Sequence, residues 1–137
     1  MIVWLRKAWN AEQTSSLLLI TLICLLTYGT LIPWLGFYWD DWFFVWVGHS
    51  RGTEGLTATL AIDRPFLGHF FAMNHFLLGE HPLFWHTYSL FIRLAAALAL
   101  WWGLRRLWPK RRFVVMAVAL LFLTYPGFLQ QPNAYVY

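Results

Sequence analysis

Long apolar runs alternate with short polar segments along this chain. The first run, 15–37, contains no charged residue, the second covers 84–104, and the third extends from 113 to about 129. A helix needs about 20 apolar residues to cross a bilayer, so the first two runs are long enough and the third is marginal. The pattern therefore predicts an all-α membrane protein with three transmembrane helices.

The first run could instead be a cleaved signal peptide. The apolar part of a signal peptide usually has about 7–15 residues and ends at a small-residue cleavage site. The run 15–37 is longer than this and has no such site. We therefore interpret it as a membrane anchor, preceded over Met1–Gln13 by an interfacial helix.

The segment 38–83 separates the first two runs and should carry short helices that lie on the membrane surface. One is predicted over Pro65–Leu78, with Asp63 as the N-cap and Gly79 as the stop signal. Its apolar residues recur at spacings of four, three and four, which gives one apolar face made of Phe66, Phe70, Met73 and Leu77.

A second short helix is predicted to begin near Asp40 and to continue through Trp46. Gly48 and Gly52 follow it and should interrupt the helical pattern. At about 14 residues, the apolar stretch 65–78 is too short to cross a bilayer comfortably, so it does not change the number of predicted spans.

Composition supports a membrane location, and the placement of charge predicts an orientation. Hydrophobic residues make up 60% of the 137 residues and charged residues only 12%, about half the share usual in soluble domains. Five bases and no acid lie in 105–112, and Arg6 and Lys7 lie near the start. The positive-inside rule places both regions, and with them the N-terminus, in the cytoplasm. The segment 38–83, with five of the six acids, is then extracytoplasmic.

Asp40 and Asp41 form an acidic pair among aromatic residues just after the first span. Successive side chains on a helix diverge by about 100°, so two helical carboxylates at these positions should have separate roles. One would face a substrate, and the other a cation, a base or the loop backbone. The alternative is that both acids cap the following helix, whose dipole favours negative charge.

Arg93 lies near the middle of the second span, where a charged side chain is costly. His86, Ser89 and Arg93 occupy positions i, i+3 and i+7, and therefore form one stripe along the helix. This stripe should face other parts of the protein, where Arg93 could contact a substrate. The alternative is a structural arginine paired with an acid or with carbonyl groups of a helix that is not in this chain.

Arg64 lies beside the predicted surface helix, where its guanidinium could bind a phosphate group bidentately. It could instead be an interfacial arginine next to a capping aspartate. The five histidines, all in 49–86, have no recognised zinc spacing, so we predict no dedicated metal site. The short basic segment does not resemble a nucleic-acid-binding stripe either. Cys24, the only cysteine, excludes an internal disulfide.

The order of these features resembles polytopic glycosyltransferases of the GT-C type. The chain has a cytoplasmic start and one span, followed by an external acidic pair. Surface helices with an Arg-Pro pair come next, and then a span that begins with histidine. The segments 82–86 and 122–127 (PLFWH and FLTYPG) also look like those proteins. Protein mannosyltransferases and bacterial enzymes that modify lipid A or oligosaccharides are similar.

The resemblance implies sugar transfer from a polyprenyl-phosphate donor to an acceptor on the extracytoplasmic side of the cell membrane. Asp40 and Asp41 match the family's catalytic acid in the first outer loop. Arg64, His86 and Arg93 are the expected substrate-binding residues, and a divalent cation could assist the departing phosphate. Such enzymes have more spans, so we expect this chain to be the N-terminal portion of one.

Two other functions fit the same residues. The chain could be a small non-enzymatic membrane subunit whose acidic loop and Arg93 dock onto a larger partner. It could also belong to a transporter with Arg93 in the substrate path. These hypotheses differ in whether a carboxylate at position 40 or 41 is required for sugar transfer.

Overall fold

The computed structural model describes residues 2–125, with side chains from Glu12 onward, and this part of the chain is helical without strands. Five α-helices follow one another: α1 (Ile2–Cys24), α2 (Asp40–Leu60), α3 (Pro65–Leu78), α4 (Pro82–Leu107) and α5 (Arg112–Leu123). The expectation of an all-α protein is confirmed.

Two stretches have the length and apolar composition to cross a membrane, Glu12–Trp34 and Pro82–Leu107. The first two predicted spans are therefore helical, although their boundaries differ from the prediction. The first ends at Trp34 rather than at residue 37, after a π turn at Leu25–Gly29 and a 3₁₀ turn at Ile32–Trp34. It is also continuous with the N-terminal segment, because α1 begins at Ile2.

The third predicted span is helical only as far as Leu123. At 12 residues, α5 is about 18 Å long, which is less than the ~30 Å of a bilayer core. The predicted continuation to residue 129 lies partly outside the described residues. Within residues 2–125 the structure therefore shows two helices of spanning length, followed by the shorter apolar helix α5.

The described residues form two compact units. The span unit contains residues 2–30 and 90–125, and the loop unit contains residues 31–89. The core of the span unit combines side chains from α1, the π turn, α4 and α5: Ile20, Cys24, Tyr28, Ala97, Trp101, Val115, Ala119 and Leu123.

The loop unit is built by packing α3 on α2. Gly68 allows α3 to approach the backbone of α2 closely, since a Cβ at this position would lie 3.0 Å from the Thr57 carbonyl oxygen. Phe37, Leu60, Phe71 and Trp85 are buried around this contact. The buried Trp85 also donates a hydrogen bond of 2.8 Å from Nε1 to the Gly79 carbonyl.

The helices of the loop unit differ from the prediction in two details. First, α2 extends to Leu60, and only Gly52 interrupts it, with a φ of 64° and a ψ of −163° that essentially only glycine adopts. Gly48 does not end the helix, because it is buried beneath the His75 ring. Second, the N-cap of α3 is Arg64 rather than Asp63, and no side chain caps the helix there.

The predicted apolar face of α3 is not the face that packs on α2. Phe66, Met73 and Leu77 are exposed, whereas Gly68, Phe71 and Asn74 are buried. Phe70 is partly buried between the two faces. The helix therefore uses one face for its own unit and leaves an apolar surface exposed.

Candidate functional site

A strained backbone precedes the acidic pair. Trp39 has a φ of 50° and a ψ of −119°. Among the described residues, it is the only non-glycine residue with a positive φ. An L-residue in this region costs about 1–3 kcal/mol, and such strain often occurs at functional sites. The distortion turns the chain directly into the first turn of α2.

Two hydrogen bonds between the same residues close this turn. The Asp41 N–H donates to the Tyr38 carbonyl at 3.0 Å, and the Tyr38 N–H donates to Asp41 Oδ2 at 3.2 Å. The side chain of Asp41 therefore supports the backbone that carries it. One of the roles expected for the acidic pair was a carboxylate that faces the loop backbone. Asp41 makes this contact, through its hydrogen bond with the Tyr38 N–H.

The two carboxylates differ in exposure. Asp41 is fully buried, whereas Asp40 is exposed. Both lie in the first turn of α2, where the helix dipole favours negative charge. The pair therefore combines a buried carboxylate that holds the turn with a neighbour that is open to other molecules.

His86 connects α4 to the segment before the acidic pair. Its Nε2 donates a hydrogen bond of 2.8 Å to the carbonyl of Gly36, four residues before Asp40, and its side chain is buried. A carbonyl can only accept, so Nε2 carries the proton in this contact. This geometry gives His86 a positioning role for the segment that leads to Asp40.

Arg64 stands at the start of α3 in the same unit. Its Nε lies 3.3 Å from Asp63 Oδ2, and both side chains are largely exposed. Exposed ion pairs contribute little to stability, so Arg64 can exchange this carboxylate for another anion at low cost.

Arg93 belongs to the span unit, where it contacts an aromatic ring. Its guanidinium carbon lies 4.2 Å from the centre of the Tyr28 ring, and the Tyr28 hydroxyl donates a hydrogen bond of 2.7 Å to the Leu123 carbonyl. A cation over an aromatic face is attracted by the ring quadrupole. The expected structural partner was an acid or carbonyl groups of a helix that is not in this chain, and Tyr28 was not predicted.

A polar cluster that was not predicted from the sequence joins α2 to the end of α3. His49 Nδ1 lies 3.1 Å from Glu80 Oε2, and His75 Nε2 lies 3.9 Å from Glu80 Oε1. Nearby in sequence, Asn74 is buried and its Nδ2 has no hydrogen-bond partner among the described residues. Asn74, a polar residue within the apolar sequence of α3, was the feature of the sequence that could have indicated this cluster.

No described group of three or more histidine, cysteine or acidic side chains has an arrangement that could hold a metal ion. An open groove of about 370 Å³ lies beside the second half of α2, and it is lined by Thr53, Glu54, Thr57, Ala58, Ala61 and Ala72. Its wall contains one carboxylate and two hydroxyl groups.

Comparisons of this chain with protein-family models, with curated proteins and with solved structures give no match.

Proposed function

We propose that this chain is part of a membrane glycosyltransferase that uses a polyprenyl-phosphate sugar as donor. The carrying observation is the acidic pair at the start of α2, in which Asp41 is buried in the turn and Asp40 is exposed. The resemblance to GT-C-type enzymes motivates the reaction class. The split environment of the two carboxylates supports a division of their roles.

In this proposal, Asp40 is the catalytic base. Its carboxylate accepts the proton of an acceptor hydroxyl as the hydroxyl oxygen forms a bond to the anomeric carbon of the sugar. The bond from that carbon to the phosphate oxygen breaks, and the lipid phosphate leaves with the electron pair. Asp41 positions Asp40 by holding the turn through Tyr38.

Arg64 is the proposed contact for the departing phosphate. Its guanidinium can form two parallel hydrogen bonds to phosphate oxygens, and its exposed pair with Asp63 is a weak competitor. Positive charge at this position stabilises the negative charge that develops on the leaving group. A divalent cation could take part in the same role.

His86 and Arg93 support the site in different ways. His86 positions the segment before the acidic pair through the Gly36 carbonyl. The resemblance implies that Arg93 binds substrate. Its cation–π contact with the Tyr28 ring supports a structural role in the membrane instead.

The proposed orientation follows from charge. The N-terminus and the turn between α4 and α5 lie in the cytoplasm, and the loop unit lies on the extracytoplasmic surface of a multi-pass protein. The exposed apolar side chains of α3, including Phe66 and Leu77, support contact of that unit with the membrane interface. The two helices of spanning length, Glu12–Trp34 and Pro82–Leu107, support the multi-pass arrangement, and a third span stays part of the proposal.

The test is sugar transfer in membranes that contain the protein, with tritiated monosaccharides on polyprenyl phosphate as donors. Asp40→Asn should lower the rate about 10²-fold or more, because it removes the base, while membrane insertion and thermal stability stay unchanged. Asp41→Asn should lower both the rate and the stability, because it weakens the turn. Glu54→Gln, which removes an exposed carboxylate elsewhere on α2, is the matched control.

Full transfer by both aspartate variants would contradict the catalytic assignment. The second candidate, a non-enzymatic membrane subunit, would then be favoured by the exposed aromatic residues of α2, Trp42, Phe43 and Trp46, which could pack against a partner. A partner that co-purifies in detergent and is lost on substitution of these residues would support it.

A further inference from the structure

The basic turn, defined here as residues 105–112, includes the end of α4 and the start of α5, and two of its five bases form an ion cluster with Glu12. Arg105 is buried, and it donates hydrogen bonds to the Pro109 carbonyl at 2.7 Å and to Glu12 Oε1 at 2.9 Å. Arg112 forms an ion pair with the other oxygen of Glu12. Glu12 on α1 therefore holds the end of α4 and the start of α5 together.

The remaining three bases of the turn, Arg106, Lys110 and Arg111, are exposed. Glu12 is the only acid in the sequence of the span unit, since the other five acids all lie in 40–80. Two of the five bases contact Glu12, and the five bases and this one carboxylate together carry a formal charge of +4. No other acid of the same unit can neutralise this charge.

The exposed bases lie among exposed apolar side chains. The Arg106 guanidinium carbon stands 4.1 Å from the centre of the Trp102 ring, and Trp102 and Trp108 are each about half exposed. Leu107 within the basic turn and Phe113 directly after it are also exposed. A base held over an indole at the end of a membrane-length helix is suited to the headgroup layer, where charge and apolar surface meet.

We propose that Arg106, Lys110 and Arg111 form a binding site for the phosphate groups of anionic phospholipids. The positive charge complements the headgroup, and the apolar side chains around it complement the upper part of the acyl chains. A soluble anion would satisfy the bases but would leave Trp102, Leu107 and Trp108 in contact with water. The chemistry therefore favours a lipid, and the site is independent of sugar transfer.

The experiment uses the purified protein in a non-ionic detergent with fluorescent phosphatidylglycerol, and it follows displacement by unlabelled lipids through fluorescence anisotropy. Unlabelled phosphatidylglycerol should displace the probe more strongly than phosphatidylcholine with the same chains. Each base near an anionic surface contributes about fivefold in affinity, so Arg106→Gln with Lys110→Gln and Arg111→Gln should weaken binding roughly 100-fold.

Two control variants separate charge from structure. Arg106→Lys with Arg111→Lys keeps the charge and should retain binding within a few-fold. Arg51→Gln removes an exposed base that also lies over an indole, that of Trp46, but in the loop unit, and it should leave binding unchanged. Unchanged melting temperatures show that the variants are folded.

Three outcomes would overturn the proposal. Equal displacement by phosphatidylcholine would show that the headgroup charge is not recognised, and equal affinity of the triple glutamine variant would place the site elsewhere. Displacement by tripolyphosphate at matched ionic strength as strong as that by phosphatidylglycerol would identify a soluble anion as the ligand.

Discussion

Trp39 shows how a single residue shapes the candidate site. Its positive φ directs the chain into α2, and the two hydrogen bonds between Tyr38 and Asp41 hold the turn in this form. The buried Asp41 loses access to water and gains a backbone donor. Asp40, its neighbour in the same turn, remains exposed.

Strain at Trp39 can be measured by comparing two variants that both lack the indole. Trp39→Gly should be more stable than Trp39→Ala by about 1–2 kcal/mol, because glycine adopts a positive φ without a Cβ penalty. The free energy of unfolding in detergent is the measurement. At a position with ordinary backbone angles, glycine would instead be less stable than alanine, so the sign of the difference decides.

At the level of helices, the contact between α2 and α3 depends on a residue without a side chain. Gly68 lies against the backbone of Thr57, and backbone atoms cannot move aside without separating the helices. Gly48 is also covered, but by the His75 ring, which is the end of a side chain and can rotate away. The two glycines should therefore respond differently to substitution.

Gly68→Ala should lower the free energy of unfolding by about 1–3 kcal/mol, because its Cβ would lie 3.0 Å from the Thr57 oxygen and 3.1 Å from the Thr57 Cα. Gly103→Ala is the control, because a Cβ at that position inside α4 would meet no described atom within 4 Å apart from its chain neighbours and the backbone of its own helix. The control should be neutral or slightly stabilising. Equal stability of the Gly68 variant and the parent would show that the helices do not approach this closely.

For the whole molecule, the distribution of charge between the units predicts an orientation. The bases of the span unit cluster at the turn between α4 and α5, whereas five of six acids lie in the loop unit. This asymmetry favours the cytoplasm for the turn and the opposite side for the loop.

Cysteine labelling in intact cells tests this orientation. With Cys24 replaced by alanine, Lys110→Cys should be protected from a membrane-impermeant maleimide until the membrane is permeabilised. Thr53→Cys, at an exposed position of α2, should react without permeabilisation. The reverse pattern of labelling would show that the topology is inverted.

Features that depend on composition and local spacing could be predicted from the amino-acid sequence. Two apolar runs were long enough to span a bilayer, and Pro65 and Gly79 marked the ends of α3, because helix termini follow from local backbone preferences. The expectation that Gly48 interrupts the helical pattern is wrong, whereas the third span is not confirmed and stays a prediction. Burial beneath His75 overrides the helix-breaking tendency of glycine, and α5 ends at Leu123 although the apolar pattern continues.

The contacts of the polar residues, in contrast, follow from how the helices pack together. Packing distinguishes two neighbours, since Asp41 is buried and Asp40 is exposed. It also joins positions far apart in sequence, as in the contacts of His86 with Gly36 and of Arg93 with Tyr28. Glu12 likewise meets Arg105 across 93 positions. Such contacts depend on packing between helices. The periodicity of residues within one helix does not encode that packing, so these contacts could not be predicted from the sequence.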